Sequence, residues 1–329
     1  MGIQITGVGA YVPNKTVTNY DLARDVDTTH EWIATKTGIL ERRISEPDEA
    51  PSDMACQAAR CCLSHAGVDK AAVDLIVVAS ATPDHSQPAV ACLVQEKLGV
   101  AESKCPAFDV NSVCAGFVFA LNVAQGMMLT ARKQFRNALV IGTDAFSKIL
   151  NWNDRRTCIF FGDGAGAVLL SQTDKEEQCI HFQLGSDGRG SRYIQVPAGG
   201  TRTPVSVKVL EDRLNTFVMD GQKVWDFAVN TVPQAIRSLL AQHGLIPDDL
   251  DLLVLHQSNL RMIEAIMTAL ELPMDRTVTT VERYGNTAAA SIPLTLQAAL
   301  ETGRLQRGSR VMLSGFGGGL SWGSALINW

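Results

Sequence analysis

Short apolar runs rich in β-branched residues alternate along the chain with longer stretches whose apolar positions recur at helical spacing. Leu75–Ala79, 138–141, 167–170, Leu252–Leu255 and 311–313 contain no polar residue, the mark of strands covered on both faces. Between them, 53–66, 115–129, 222–242 and Ser291–Glu301 predict helices. This order predicts a layered α/β protein.

The pattern also repeats. A-G-V-D-K-A-A-V-D-L-I-V-V-A, from Ala66, matches H-G-L-I-P-D-D-L-D-L-L-V-L-H, from His243, at a constant offset of 177 residues. Gly67 thereby pairs with Gly244, Asp74 with Asp251 and Val77 with Val254. N-A-L-V-I-G, from Asn137, is echoed by S-R-V-M-L-S, from Ser309, and G-A-G-A-V-L-L, from Gly164, by S-W-G-S-A-L-I, from Ser321. Three echoes in one order predict a duplicated unit with halves 1–174 and 175–329, which meet in the polar stretch 173–178. Residues 185–216, rich in Gly, Arg, Thr and Pro, read as loops inserted at the opening of the second half.

Composition narrows the function classes. At 329 residues the chain is too long for one simple core. A mean hydropathy of +0.06, without an uninterrupted apolar run of about eighteen residues, argues against membrane insertion. The N-terminus has neither a basic region nor a long apolar one, which argues against secretion. A net charge of −5 leaves no broad basic surface for nucleic acid. The eight cysteines form no C-x-x-C pair, and Cys61, Cys62 and Cys92 sit in apolar stretches, so free thiols in a reducing cytoplasm are expected. The six histidines are dispersed, and no metal site is expected.

Three residues carry the chemistry. Cys114, in F-D-V-N-S-V-C-A-G-F, ends a strand-like run and opens a helix, where free amides and the helix dipole favour a thiolate. His256 follows the run Leu252–Leu255, and Asn286 stands in a Gly-Asn turn before the helix at Ser291. Singly, each has a structural reading as a buried thiol, a strand-end histidine or a turn residue. Together they form a nucleophile with polar partners from distant strand ends. The run S-G-F-G-G-G-L-S-W-G-S, from Ser314, offers backbone amides for an oxyanion. Other motifs fail. G-D-G-A-G-A, from Gly162, leads into a strand-like run where a dinucleotide fingerprint needs a helix, and neither G-x-S-x-G nor G-K-[ST] occurs. The N-terminal M-G-x-x-x-T fits a myristoylation pattern, but Ile3 and Ile5 alternate as a buried strand would.

D-V-N-S-V-C-A-G-F, H-Q-S-N-L-R, Y-G-N-T-A-A-A-S-I-P and G-F-G-G-G-L-S-W-G-S-A-L, in this order, resemble β-ketoacyl-acyl-carrier-protein synthase III of the thiolase superfamily. E-W-I-A-T-K-T-G-I, from Glu31, and F-G-D-G-A-G-A, from Phe161, extend the resemblance across nearly the whole chain. It implies a duplicated, five-layered α/β/α/β/α thiolase-like fold and a homodimer. It implies an acyl-CoA-primed decarboxylative Claisen condensation with malonyl-acyl-carrier protein, through an acyl-Cys114 intermediate and with no cofactor. On the same resemblance, His256 and Asn286 hydrogen-bond the malonyl thioester oxygen, a donor worth about 3 kcal/mol in such sites. The amides of Cys114 and Gly318 would hold the tetrahedral oxyanion, and Phe316 would keep water from the carboxylate. Thr28, Trp32, Lys36, Arg155 and Asn259 match CoA contacts, and Arg261 matches a carrier-protein docking residue.

Several positions depart from the family pattern. Lys36 replaces a usual arginine and loses its bidentate fork. Gln87 stands where an apolar residue commonly closes the partner's acyl pocket, while Phe146 and Phe160 are bulky at pocket positions. These departures pull in different directions, because a flexible Gln87 leaves the pocket less closed while the phenylalanines shorten it; a primer that is not strictly acetyl is expected. Alternatives are a specialised relative acting on a medium-chain primer or a different acceptor in secondary metabolism, and a non-condensing acyl-binding or thioesterase-like protein.

Overall fold

The computed structural model describes residues 2–174 and 179–329. Among the described residues, nine strands build the two large sheets, beside two short two-stranded pairs. β1 (Gly2–Tyr11), β2 (Leu75–Ala79), β3 (Ala107–Val110), β4 (Asn137–Asp144) and β5 (Gly164–Thr173) pair in the order β1-β5-β4-β2-β3. β6 (His181–Ser186), β7 (Leu252–Leu255), β8 (Arg310–Gly317) and β9 (Ser321–Asn328) pair in the order β7-β8-β9-β6.

The echoes read from the sequence occupy equivalent strands. β2 runs parallel to β4 and β4 antiparallel to β5; β7 runs parallel to β8 and β8 antiparallel to β9. The paired residues do the same work twice. Gly67 and Gly244 adopt left-handed φ values of 64° and 68° just after the helix that precedes each first strand, a conformation a side chain would penalise. Asp74 accepts hydrogen bonds from the amides of Arg136 and Asn137 at the start of β4, and Asp251 accepts one from the Arg310 amide at the start of β8. Each aspartate thus sets the register of a parallel pair. The expected junction, 173–178, runs into residues 175–178, outside the described residues.

Six helices complete the layers: α1 (Pro51–Ala66), α2 (Val90–Leu98), α3 (Gly116–Thr130), α4 (Gly221–Gln242), α5 (Leu260–Ala269) and α6 (Ser291–Glu301). Successive strand residues point to opposite faces. Leu75 and Val77 join Leu252 and Val254 in the central core with Phe117, Leu121 and Ile292 of α3 and α6. Ile76 and Val78 turn outward to Met54 and Val90 of α1 and α2. In the second sheet, Leu253 and Leu255 turn to Ile236 and Ile263 of α4 and α5. Five layers, α/β/α/β/α, result, as the resemblance implies, and both faces of each sheet are covered. Such burial explains strands without a polar member, at about 1.5–3 kcal/mol for each large apolar side chain.

Val113–Thr130 is long and apolar enough by composition to cross a membrane, but it includes α3, whose Phe117, Leu121 and Ala124 are fully buried between the sheets. The cysteines need a correction. No disulfide forms among the described residues, yet Cys61 and Cys92 are exposed rather than packed as small apolar groups. Helical spacing places Ala58, Ala59 and Cys62 of α1 against the sheet and turns Cys61 to solvent.

Candidate active site

Cys114, His256 and Asn286 converge because three chain segments end over the same point of the central layer. Cys114 lies in a single tight turn, Val113–Ala115, between β3 and α3, and Val113 takes φ 47° there. His256 follows β7 directly, and its amide donates to the Ser314 carbonyl of β8 at 2.8 Å. The Asn286 amide donates to the Phe160 carbonyl at 2.8 Å, which ties the second half to the first. All three side chains, with Phe316 and Gly317, line one cavity of about 320 Å³. Gly317 has no room for a side chain: a Cβ there would stand 2.9 Å from the Cys114 Cβ and 3.3 Å from its sulfur.

The hydrogen bonds around the polar pair leave it facing the cavity in a defined way. The His256 Nδ1 pairs with Ser291 Oγ at 2.7 Å, so Nε2 is the nitrogen left for the cavity. The ring meets Phe316 edge-on at 5.2 Å, and burial pulls its pKa down to about 3, which keeps the imidazole neutral. The Asn286 Oδ1 accepts from the Ala288 amide at 2.9 Å, so its amide nitrogen remains as a donor. Asp144, buried at the end of β4, accepts from Ala81, Thr82 and, across the two halves, from the Ala289 amide at 3.0 Å. Its pKa rises to about 6, chiefly through burial.

Cys114 departs from expectation. Burial, with the Asp144 carboxylate adding to it, pushes the thiol well above its ordinary range. The start of α3 favours a thiolate, but desolvation outweighs it.

Apolar side chains form the wall beside Cys114. Phe146, Phe161 and Phe217 make a buried cluster, with Phe146 stacked on Phe161 at 4.6 Å and Phe217 edge-on to both at 5.5 and 4.9 Å. The expected Phe160 also lines the cavity, but Phe161 and Phe217 complete the cluster. Phe161 stands in the quoted F-G-D-G-A-G-A, whereas Phe217 lies just past a segment read only as inserted loops. That segment is not peripheral: Ile194 and Met219, on the paired strands Ile194–Gln195 and Val218–Met219, line the cavity.

At the mouth, Trp32, Lys36, Arg155 and Asn259 line the opening. The Arg155 guanidinium lies over the Trp32 ring at 5.3 Å and donates to the Asp27 carbonyl at 2.7 Å. Asn259 also caps α5, accepting from the Met262 amide at 2.9 Å. Four expected residues stand off the cavity lining. Thr28 is half-buried beside the mouth, and its Oγ1 has no partner among the described residues. Gly318 packs on Ile194 and Val113, one residue beyond the glycine that touches Cys114. Gln87 is exposed in the loop between β2 and α2. Arg261 pairs with Glu264 at 2.9 Å and donates to the Thr35 carbonyl at 3.0 Å.

Residues 108–188 match the family described as 3-oxoacyl-[acyl-carrier-protein (ACP)] synthase III, and residues 240–329 match that family's C-terminal region. The chain is 42% identical to the β-ketoacyl-[acyl-carrier-protein] synthase III of Caldanaerobacter subterraneus subsp. tengcongensis, over 99% of this chain and 97% of that one. It resembles the crystal structure of 3-oxoacyl-(acyl carrier protein) synthase III from Pseudomonas aeruginosa PAO1 with a TM-score of 0.91 and 37% identity, over 100% and 98% of the two chains. The priming β-ketosynthase of the R1128 polyketide biosynthetic pathway matches with a TM-score of 0.89 and 34% identity, over 99% and 96%.

Proposed function

The chain belongs to the β-ketoacyl-acyl-carrier-protein synthase III family, and from that premise we propose that it catalyses the condensation that initiates fatty acid synthesis. The observation that carries this reading is the meeting of Cys114, His256 and Asn286 in one cavity with an apolar wall and a cationic, aromatic mouth.

In the first half-reaction the Cys114 sulfur attacks the thioester carbon of an acyl-CoA, and the CoA thiol leaves with a proton. The amides of Cys114 and Gly318 hold the tetrahedral oxyanion. In the second, malonyl-acyl-carrier protein loses carbon dioxide, and the electron pair of the broken bond passes into an enolate. His256 Nε2 and Asn286 Nδ2 donate to the enolate oxygen, while buried Phe316 keeps the carboxylate dry. The enolate carbon attacks the acyl-Cys114 carbonyl, and the C–S bond breaks to release β-ketoacyl-acyl-carrier protein.

Trp32 and Arg155, on parting from their 5.3 Å contact, would take the CoA adenine between them, with Thr28, Lys36 and Asn259 as further contacts. CoA enters as substrate, and the reaction so written uses no cofactor or metal. Arg261 would meet the acidic carrier protein after release from Glu264. We take the halves as 1–174 and 175–329. Free cysteines support a reducing cytoplasm. A homodimer is favoured by the unpaired edge of β3 and by the exposed Gln87 loop, through which Gln87 would reach the partner's acyl pocket.

A second reading concerns the primer. Polar, exposed Gln87 favours an acyl group other than acetyl, as in a specialised priming enzyme, while the bulk of Phe146, Phe161 and Phe217 pulls the other way by filling space beside Cys114. Mass spectrometry of the intact protein after exposure to a mixture of acyl-CoAs tests both readings. A single adduct mapped to Cys114 and discharged by malonyl-acyl-carrier protein is expected. No adduct, or one that malonyl-acyl-carrier protein leaves in place, defeats the condensation; overwhelming preference for acetyl-CoA defeats the second reading.

A further inference from the structure

A buried hydroxyl reveals where neighbouring protons sit, because a donor left without an acceptor inside a protein costs about 1–3 kcal/mol. Ser291, the first residue of α6, is fully buried. Among the described residues its Oγ has one partner, the Nδ1 of His256 at 2.7 Å. The pair can be protonated in two ways. With the proton on Nδ1, the serine oxygen accepts and its own O–H is left with no acceptor. With the proton on Nε2, the serine O–H donates to Nδ1, the buried hydroxyl is satisfied, and the ring N–H points to the side left for substrate. We infer that Ser291 is a positioning residue that holds His256 in the Nε2–H tautomer, so that the nitrogen facing the cavity is always a hydrogen-bond donor.

Two observations point the same way. A doubly protonated ring is disfavoured, since burial holds His256 neutral through the working pH range. Asn286 is treated alike, because its acceptor oxygen is occupied by the Ala288 amide and its donor end is free. One segment, 286–291, therefore consumes the acceptor ends of both side chains. Two donors on the lining of one cavity suit an anionic oxygen and do not suit removal of a proton from a substrate. The segment is itself anchored from the first half, by the Asp144 carboxylate at the Ala289 amide.

This inference rests on the reading of His256 as a donor to the enolate oxygen, and its test separates the two. Nitrogen NMR of wild-type protein labelled on its histidine rings, with His256 assigned by its loss in His256→Ala, reads the tautomer without any turnover. An Nε2–H pattern with a hydrogen-bonded Nδ1 is expected; an Nδ1–H pattern overturns the inference even if the enzyme condenses normally. Ser291→Ala should lower kcat for malonyl-thioester decarboxylation by about 10- to 100-fold, less than loss of the donor itself, with little change in KM. Acylation of Cys114 should be far less affected, and Ser291→Thr, which keeps the hydroxyl, should recover most of the rate. An unchanged kcat in folded Ser291→Ala also overturns the inference. If Cys114 is never acylated while the ring shows Nε2–H, the proposed reaction fails and the tautomer assignment stands.

Discussion

Cys114 and His256 stand in the same cavity, both withdrawn from water, and burial serves one while it hinders the other. Each is driven to its neutral form. For His256 neutrality is the working state, since a neutral ring with its proton on Nε2 can stabilise a growing negative charge without titrating. For Cys114 neutrality is an obstacle to the proposed reaction, in which the thiolate would be the nucleophile. The difference lies in what surrounds each group. His256 has a hydroxyl at its inner nitrogen, whereas Cys114 has the start of α3 on one side and the Asp144 charge adding to desolvation on the other. A helix start sets the sign of its effect on a thiol; the depth of burial decides whether that effect prevails.

The largest contrast should come from deleting each group. Cys114→Ala should form no acyl-enzyme at all, whereas His256→Ala should still take up the acyl group and lose about 10²–10³-fold in malonyl decarboxylation. Intact mass and carbon dioxide release, measured separately, distinguish the half-reactions; parallel losses in both variants would erase the distinction between the two sites.

A smaller effect is expected in the pH profiles. Alkylation of Cys114 should accelerate about tenfold per pH unit beyond the point, near pH 8.5, where an ordinary cysteine levels off. Decarboxylation on enzyme already acylated should show no histidine inflection between about pH 5.5 and 8, because His256 has left that range. A plateau in the first profile, or a histidine step in the second, contradicts the account of that side.

Asp144→Asn sharpens the comparison with the mildest change. Removing the charge should speed Cys114 alkylation, while an amide cannot reproduce every bond to the Ala81, Thr82 and Ala289 amides, at about 1–3 kcal/mol for a donor left unmet. The sign with pH is fixed. A carboxyl raised to about 6 by folding contributes stability below its ordinary range and loses it as pH rises through 6. Wild type should therefore gain on Asp144→Asn as pH falls from 7 to 5, read by denaturant unfolding.

Much of this was legible in the chain. Strands covered on both faces have no polar member, and a duplicated unit must repeat the residues that end its helices and set its registers, as Gly67 with Gly244 and Asp74 with Asp251 do. Cys114, His256 and Asn286 were legible because strand ends and helix starts are marked locally. What escaped depends on contacts across the fold. Ser291 looks like any helix-start serine until β7 brings His256 to it, and Phe217 lies in a stretch without periodicity that folds over the cavity. The protonation of Cys114 was misread because local sequence shows the helix start but not the burial or the carboxylate from β4.

Val113 and Ala288 share a feature whose meaning is thermodynamic. Each takes a left-handed φ, 47° and 48°, that side-chain-bearing residues avoid at about 1–2 kcal/mol, and a β-branched valine avoids most strongly. One immediately precedes the nucleophile; the other follows Asn286 by two residues. The scaffold thus holds its reactive segments away from their preferred shapes in both halves, at places where a more relaxed residue would make the protein tougher. Glycine at either position would relieve that conformational cost, and the enzyme it yielded would be sturdier and slower.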